Sequence, residues 1–240
     1  MSLLKTLRER STRRAHRAHG IRPAGDQQVA VIGLGRFGSS LANELMRRGW
    51  DVLGLDESER RVQRHRDLLT HAVVADATDD EALRQLGVHE FTSAVVAIGS
   101  DVEASILATS NLLEAEVKNV WAKAISRQHG QILERLGAHH VVLPEHEMGE
   151  RVAHLVTGRM LDFIEFDDDY ALVKTLTPKT AIGVPLGISG VRTRYGVTVV
   201  GIKRTGKAFT YATAETVVEP GDVLIVTGKT RAVEAFAELE

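Results

Sequence analysis

The chain of 240 residues contains no cysteine, and this absence narrows the chemistry that it can carry out. Disulfides, thiolate nucleophiles and cysteine-based zinc or iron–sulfur sites are excluded, and a reducing cytoplasm is compatible with the composition. Long apolar runs are also missing. Runs such as residues 94–98 and 197–200 fall far short of the roughly 20 residues that span a bilayer. We therefore expect a protein that is not inserted in a membrane.

A large excess of one charge is absent as well, because 30 Lys and Arg residues face 32 Asp and Glu residues. The chain as a whole is not predicted to bind a polyanion, so we expect no nucleic acid partner. Positive charge is concentrated in residues 1–26, whose first 22 residues hold seven Lys or Arg and one acid, Glu9. No apolar segment follows that would make a secretory signal. We interpret the stretch as a disordered basic tail, with a contact to anionic lipid or RNA as the alternative.

The most informative motif is a glycine-rich turn between a predicted strand and a predicted helix. Residues 28–32 have strand character and lead into Gly33, Gly35 and Gly38, where an amphipathic segment begins at once. The first glycine permits a tight turn, the second lets backbone approach a phosphate, and the third lets helix pack on strand. The helix start then presents free N–H groups and its positive end to an anion. The motif predicts a site for a nucleotide diphosphate; the alternative is a similar domain with an empty crevice.

Two charged residues refine this prediction. Asp56 follows Gly38 by eighteen residues, at the end of a second apolar run, where a carboxylate accepts hydrogen bonds from ribose hydroxyls. A 2′-phosphate would meet a fixed negative charge there, so NAD, ATP or ADP is favoured over NADP. Arg36 is charged at any cellular pH and can grip a phosphate with two hydrogen bonds, which would distinguish a triphosphate from a diphosphate. Its alternative is an exposed arginine at a helix start.

After the first strand and helix, short apolar runs alternate with segments of helical length. The predicted strands are residues 52–55, 71–75, 94–98, 119–122 and 139–143, and the predicted helices are residues 37–48, 58–67, 79–86, 101–113 and 126–136. This βαβα order predicts a Rossmann-like, doubly wound parallel sheet of the α/β class with helices on both faces. We assign it to a nucleotide-binding domain over residues 27–143.

Ligands of such sheets bind at the carboxyl ends of the strands, where the strand order reverses. The residues that follow the predicted strands are therefore the candidates for contact with a nucleotide. Together with the glycine turn they form one predicted site: Gly33, Gly35, Arg36, Phe37, Gly38, Asp56, Glu57, Ser58, Asp76, Ala77, Thr78, Ala97, Ile98, Gly99 and Lys123. For Lys123 the alternative is a solvated strand end.

The pattern changes near Pro144. A single crossover helix is predicted over residues 144–161, followed by a small α+β domain over residues 162–240 that is too small to hold a deep substrate pocket. Its predicted strands are residues 171–176, 197–203, 207–211 and 222–227, and a final helix is predicted over residues 230–239.

No set of catalytic groups stands out in the sequence. His139 and His140 are neighbours on a strand and so face opposite ways, and residues 187–190 are one position out of register for a nucleophile elbow. We therefore expect that the protein is not an enzyme. The alternative hypothesis is an NAD-dependent oxidoreductase.

The glycine turn, Asp56, and the segments 96–100, 143–149 and 192–204 together resemble the RCK family, over roughly residues 27–239. This family comprises cytosolic regulatory subunits of Ktr and Trk potassium transporters. The resemblance implies homodimers that assemble into a ring, an octamer, docked at the inner face of the cell membrane under a potassium-translocating subunit of KtrB or TrkH type. It implies that ATP favours the conducting state and ADP the closed one. The Ktr type fits better, since one chain carries one domain of each kind, while a Trk-type subunit that senses NAD or NADH is the alternative.

The resemblance also implies roles for single residues. Arg36 corresponds to an arginine that reaches the γ-phosphate bound in the neighbouring subunit, and Glu145 to a glutamate that helps to hold a divalent cation or Na⁺ at the dimer interface. For Glu145 the favourable helix dipole alone is a sufficient alternative. A second site for cyclic di-AMP is implied at Arg192, Arg194 and Thr198, with a helix that simply faces solvent as the alternative.

The chain departs from the family at two positions of the nucleotide site. Ser58 and Asp76 stand where the family often has asparagine, so the contacts to ribose and adenine are expected to differ in geometry. The basic tail has no counterpart in the family pattern.

Overall fold

A computed structural model describes residues 27–156, 160–166 and 169–239. The predicted basic tail lies outside the described residues. The described residues divide into two compact units, with the boundary between Pro144 and Glu145, and each unit is described by itself.

The first unit is built on six parallel strands. They are β1 Gln28–Ile32, β2 Asp51–Asp56, β3 His71–Val74, β4 Ser93–Val96, β5 Asn119–Lys123 and β6 His140–Val142. Their order in the sheet is β3-β2-β1-β4-β5-β6, and every pair is parallel. The direction of winding reverses between β1 and β4, so the sheet is doubly wound, as predicted.

Five helices connect these strands. They are α1 Arg36–Arg47, α2 Glu59–His65, α3 Asp80–Gln85, α4 Val102–Glu114 and α5 Arg127–Leu136. Three of them begin with a side chain that accepts a hydrogen bond from the first turn, namely Asp79, Asp101 and Ser126, as helix-capping residues do. These polar residues mark the helix starts in the sequence, which explains why the predicted starts lie within one or two residues of the observed ones.

Both faces of the parallel sheet are buried, as the alternation of residues along β1 shows. Val29 and Val31 pack in one apolar cluster with Val52 and Val62, whereas Ala30 and Ile32 pack in another with Leu53 and Leu55. A strand that is covered on both sides has no solvent-facing position, and this is why β1 reads as a continuous apolar run.

The second unit is α+β, also as predicted. It contains the helices α6 Pro144–Val156, α7 Leu186–Ser189, α8 Val191–Tyr195 and α9 Thr230–Ala237, and the strands β7 Met160–Glu165, β8 Tyr170–Leu176, β9 Val197–Lys203, β10 Phe209–Tyr211 and β11 Val223–Lys229. The sheet is antiparallel, in the order β10-β9-β11-β8-β7. Phe236 of α9 is fully buried in the core of this unit.

The predicted crossover helix is too long. It ends at Val156 rather than near residue 161, and the first strand of the second unit, β7, begins at Met160, within the predicted helix. The reason is tertiary: Met160 and Phe163 are buried in the core of the second unit while the strand pairs with β8. Burial of two large side chains outweighs a weak local helix preference. Gly158 is a stop signal in the sequence that the prediction did not use.

Among the described residues, no helix combines the length and the apolar character needed to cross a lipid bilayer.

Candidate functional site

The glycine turn has a geometry that only glycine satisfies at two of its three positions. Gly33 has φ of +94°, and a Cβ there would lie 3.1 Å from the backbone of Ala97 and Ile98. A Cβ on Gly38 would overlap the carbonyl oxygen of Gly33. Gly35 differs, because no atom lies within 4 Å of the place where its Cβ would stand. The first and third glycines are therefore required by packing, whereas the space at the second is open to a ligand.

The start of α1 offers an anion site beside this open space. Gly35 is the N-cap and provides no side chain to accept a hydrogen bond, and the first turn contains no acidic residue. The first N–H groups of a helix have no partner within it, and the positive end of the helix dipole adds to their attraction for an anion. Arg36 lies in this turn with its side chain exposed. A phosphate group fits these properties.

A buried lysine adds positive charge at the same edge of the sheet. Lys123, the last residue of β5, is 7% exposed, and its Nζ lies 5.6 Å from the ring centroid of Phe37 in α1. A Cβ on Gly99 would lie 3.3 Å from the same Nζ. The structure thus brings the ends of β4 and β5 and the start of α1 together, as predicted for the point where the strand order reverses.

Asp56 ends β2, next to β1, and its carboxylate is held in a fixed orientation. Oδ2 accepts a hydrogen bond from the backbone N–H of Leu34 at 2.7 Å, and Oδ1 accepts one from the N–H of Ser58 at 2.8 Å. Arg61 Nη1 lies 3.2 Å from Oδ2 and 3.3 Å from Oδ1. Sequence reasoning missed this arginine; its signal was a basic residue five positions after Asp56, on the helix that follows the strand.

The segment after β3, which holds the candidates Asp76, Ala77 and Thr78, is a turn closed by its own side chains. Asp76 Oδ1 accepts hydrogen bonds from the hydroxyl of Thr78 at 2.7 Å and from its N–H at 2.8 Å. The hydroxyl bond, and then the backbone bond, lower the pKa of Asp76 below its ordinary value. Asn111 of α4 donates to the carbonyl oxygens of Ala77 and Thr78, at 3.2 and 2.9 Å. Asn111, which sequence reasoning also missed, therefore fastens this turn to the helix.

The remaining candidates lie in the second unit. Glu145 is exposed in the first turn of α6. Arg192 Nε donates to Thr198 Oγ1 at 3.1 Å, so these two residues are brought together, and Arg194 lies over the ring of Tyr195 at 6.0 Å. No group of three or more His, Cys, Asp or Glu side chains that could hold a metal ion occurs within residues 27–156, 160–166 and 169–239. The roles of Glu145 and of the Arg192 cluster stay predictions.

Two parts of the chain match known domain families. Residues 29–144 match the TrkA-N domain, and residues 173–240 match the TrkA-C domain. Ktr system potassium uptake protein A of Bacillus subtilis (strain 168) is 35% identical over 212 residues, which cover 88% of this chain and 96% of that protein. The protein of the same name from Vibrio alginolyticus is 38% identical over 205 residues, which cover 85% and 93%.

Solved structures share the fold. The GsuK RCK domain superposes with a TM-score of 0.62 at 19% identity, covering 95% of this chain and 51% of that one. The GsuK channel bound to NAD gives a TM-score of 0.61 at 19% identity, covering 93% and 41%. The match covers about half of the GsuK RCK chain and less than half of the NAD-bound GsuK channel chain.

The fold and the site define a class of two-domain proteins, in which a Rossmann-like TrkA-N domain precedes a TrkA-C domain. The chain belongs to the RCK family, among the Ktr system potassium uptake proteins. The resemblance inferred from the sequence is therefore confirmed.

Proposed function

We propose that the chain is a regulatory subunit that binds an adenine nucleotide and thereby gates a membrane potassium-translocating partner. One observation carries the nucleotide part: the uncapped start of α1 and the buried Lys123 face the carboxyl edge of the sheet at the point where its order reverses. Two sources of positive charge at the same edge of the sheet fit the phosphates of a nucleotide. The identity to Ktr proteins supports the transport part.

ATP and ADP are the proposed signals. Asp56 would hold the ribose hydroxyls, and the turn at Asp76 to Thr78 would border the adenine. Both features suit any adenosine nucleotide, so discrimination must come from the phosphate side, where Arg36 is exposed. NAD or NADH is the second candidate, because an RCK-containing relative of the same fold is described as bound to NAD.

Binding energy alone can drive the gating. A ligand shifts a two-state equilibrium by as much as its affinities for the two states differ. A twentyfold preference of ATP for one state is worth about 1.8 kcal/mol per site, and several sites in one assembly add. Hydrolysis is not needed for this mechanism, and the nucleotide leaves unchanged.

The assembly that goes with this function is a homodimer that forms a ring at the inner face of the membrane. The nucleotide-binding domain covers residues 27–143, and the sheet of the C-terminal domain begins with β7 at Met160. Glu145, which is exposed in the first turn of α6, would contribute to a cation site at the dimer interface. Arg192, Arg194 and Thr198 would contribute to a second site for cyclic di-AMP, for which the contact between Arg192 and Thr198 is the supporting observation.

The test is a thermal-shift panel with ATP, ADP, NAD, NADH and cyclic di-AMP, with and without divalent cation, on the wild type and on Asp56→Ala. ATP and ADP should raise the Tm of the wild type, and the variant should lose most of the effect. Potassium flux through the reconstituted transporter should then differ between ATP and ADP. A larger shift with NADH than with ATP would favour the second candidate. The proposal fails if no nucleotide shifts the wild type.

A further inference from the structure

The carboxylate of Asp56 already has a full set of hydrogen-bond donors from its own chain. Two are backbone N–H groups, from Leu34 and Ser58, at 2.7 and 2.8 Å. The other is the guanidinium of Arg61, whose Nη1 is shared between the two carboxylate oxygens at 3.2 and 3.3 Å. An ionised carboxylate offers about four lone-pair positions. Three donors occupy these positions through four contacts, so a ribose hydroxyl reaches this group by replacing one of them.

The two kinds of donor are held very differently. The backbone groups are fixed by the sheet and by the glycine turn, and their bonds are short. Hydrogen bonds between a guanidinium and a carboxylate are usually about 2.7 to 2.9 Å long, so those of Arg61 are stretched. The side chain of Arg61 is also 40% exposed, whereas that of Asp56 is 2% exposed. Arg61 is therefore the donor that can leave, and it covers the solvent side of the carboxylate.

We propose that Arg61 is a placeholder for the ribose of the nucleotide. In the nucleotide-free protein its guanidinium neutralises Asp56 and completes the hydrogen bonding of that buried group. When the nucleotide binds, the ribose hydroxyls take over these positions and Arg61 swings out to solvent. This inference rests on the proposed function, which assigns Asp56 to the ribose. Arg61 is then a residue that sets affinity and exchange rate for the signal, without contacting it in the bound state.

A thermodynamic cycle links the effect of removing Arg61 on the stability of the free protein to its effect on nucleotide affinity. Removing the guanidinium takes a partner from a buried carboxylate, which lowers the stability of the nucleotide-free protein. The bound protein has already released Arg61, so its stability stays the same. The free energy lost by the free form must therefore reappear as tighter binding. A residue with a purely structural role would lower the stability of both forms and leave affinity unchanged.

The chain contains a matched control in the preceding residue. Arg60 lies on the same turn of α2, is exposed, and makes no ion pair with any residue that the structure describes. Arg60→Met and Arg61→Met change the net charge equally, and methionine keeps an unbranched apolar stem in both cases. A comparison of the two variants removes the effect of overall charge on the binding of an anionic ligand.

The experiment measures calorimetric affinity for ADP and NAD, and the Tm with and without saturating ADP, on the full chain. For Arg61→Met we expect affinities tighter by about fivefold and a nucleotide-free Tm lower by about 2 to 4 °C, with the Tm at saturating ADP equal to that of the wild type. Arg60→Met should match the wild type throughout. If Arg61→Met does not fold, Arg61→Gln against Arg60→Gln carries the same expectations.

Two results overturn the placeholder role. Weaker binding by Arg61→Met than by Arg60→Met would mean that the guanidinium contacts the bound nucleotide, and equal binding would mean that it does not compete with ribose. Failure of the wild type to bind either ligand is a different outcome, since it rejects the proposed function itself.

Discussion

Each of the two units buries one carboxylate beside an arginine, and the two pairs differ in how completely they are closed. In the second unit Asp222 is 1% exposed, and Arg204 binds it through two nitrogens at 3.1 Å each. The N–H of Glu219 adds a bond at 2.9 Å. Arg204 is held in turn by the Glu219 carboxylate at 2.9 Å. In the first unit Asp56 is buried as well, but Arg61 reaches it through one nitrogen at longer range.

The difference distinguishes a structural ion pair from the carboxylate that we propose to bind ribose. Arg204 makes a bidentate contact with Asp222 and is itself held by Glu219, so it links the end of β9 to the turn before β11. A ligand cannot readily displace such a contact. A single stretched contact over a rigid carboxylate is one that a ligand can displace. Burial and charge alone do not distinguish the two aspartates; the number and length of the arginine's bonds do.

The largest expected effect comes from the glycine turn, on which the orientation of Asp56 depends through the N–H of Leu34. Gly38→Ala places a methyl group on the carbonyl of Gly33, so we expect the free energy of unfolding to fall by at least about 3 kcal/mol. Gly35→Ala meets open space and should fold normally, yet bind ADP about tenfold more weakly because its methyl group stands where a phosphate approaches. Urea denaturation and calorimetry measure both. Equal stability of the two variants would contradict the geometry.

A smaller effect is expected from the closed pair of the second unit. Burial acts to raise the pKa of Asp222, but the bonds from Arg204 and from the Glu219 N–H outweigh it, so the pKa lies below the ordinary value of 3.8. Asp222→Asn should lower the Tm by about 5 °C at pH 7 and leave ADP affinity unchanged. The stability that the carboxylate provides is present above pH 3.8 and is lost as the pH falls below it. A change in ADP affinity would show that the two units do not act separately.

A buried histidine of the first unit gives a further pH dependence. His129 is 2% exposed, its Nε2 has no partner among the described residues, and burial lowers its pKa below 6.5. The unfolded chain therefore takes up the proton first as the pH falls below 6.5, and this destabilises the folded form. We expect the Tm to drop by about 3 °C between pH 7.5 and 5.5. His129→Gln should flatten the profile; a profile as steep as that of the wild type would refute this explanation.

The smallest effect concerns the turn assigned to adenine. Asn111→Leu removes both hydrogen bonds that hold Ala77 and Thr78 to α4, so the turn becomes less well positioned. We expect ADP affinity to fall by about threefold with little change in Tm. The control is Ser110→Ala, which alters the preceding residue of the same helix, whose hydroxyl donates to Glu114 instead of to the turn. A loss of affinity in Ser110→Ala as large as in Asn111→Leu would remove the case for Asn111.

The sequence was sufficient to predict secondary structure wherever local signals and the burial pattern indicate the same element. The continuous apolar run of β1, the capping residues Asp101 and Ser126, and the glycine turn each carry their structural meaning within a few positions. The second-unit strands β8 and β9 were also predicted to within one residue, since their apolar runs are bounded by charged residues and turns.

The sequence was insufficient where hydrogen-bond partners are far apart in the chain, or where tertiary packing determines the end of a helix. Asn111 lies 33 residues from Thr78, and nothing in the sequence of α4 indicates that its amide faces the turn after β3. Arg61 is close to Asp56 in sequence, yet one of several arginines on α2, and only the geometry selects it. The end of α6 was misplaced because the burial of Met160 in the second core is a property of the folded unit.

The central claim is that an adenine nucleotide binds to the first unit as a signal and leaves unchanged. The most direct measurement is equilibrium binding of ATP and ADP to the purified chain, followed by chromatographic analysis of the recovered nucleotide. We predict saturable binding with one site per chain, and recovery of the same compound that was added. Binding of no adenine nucleotide, or steady conversion of the bound one, would contradict the account.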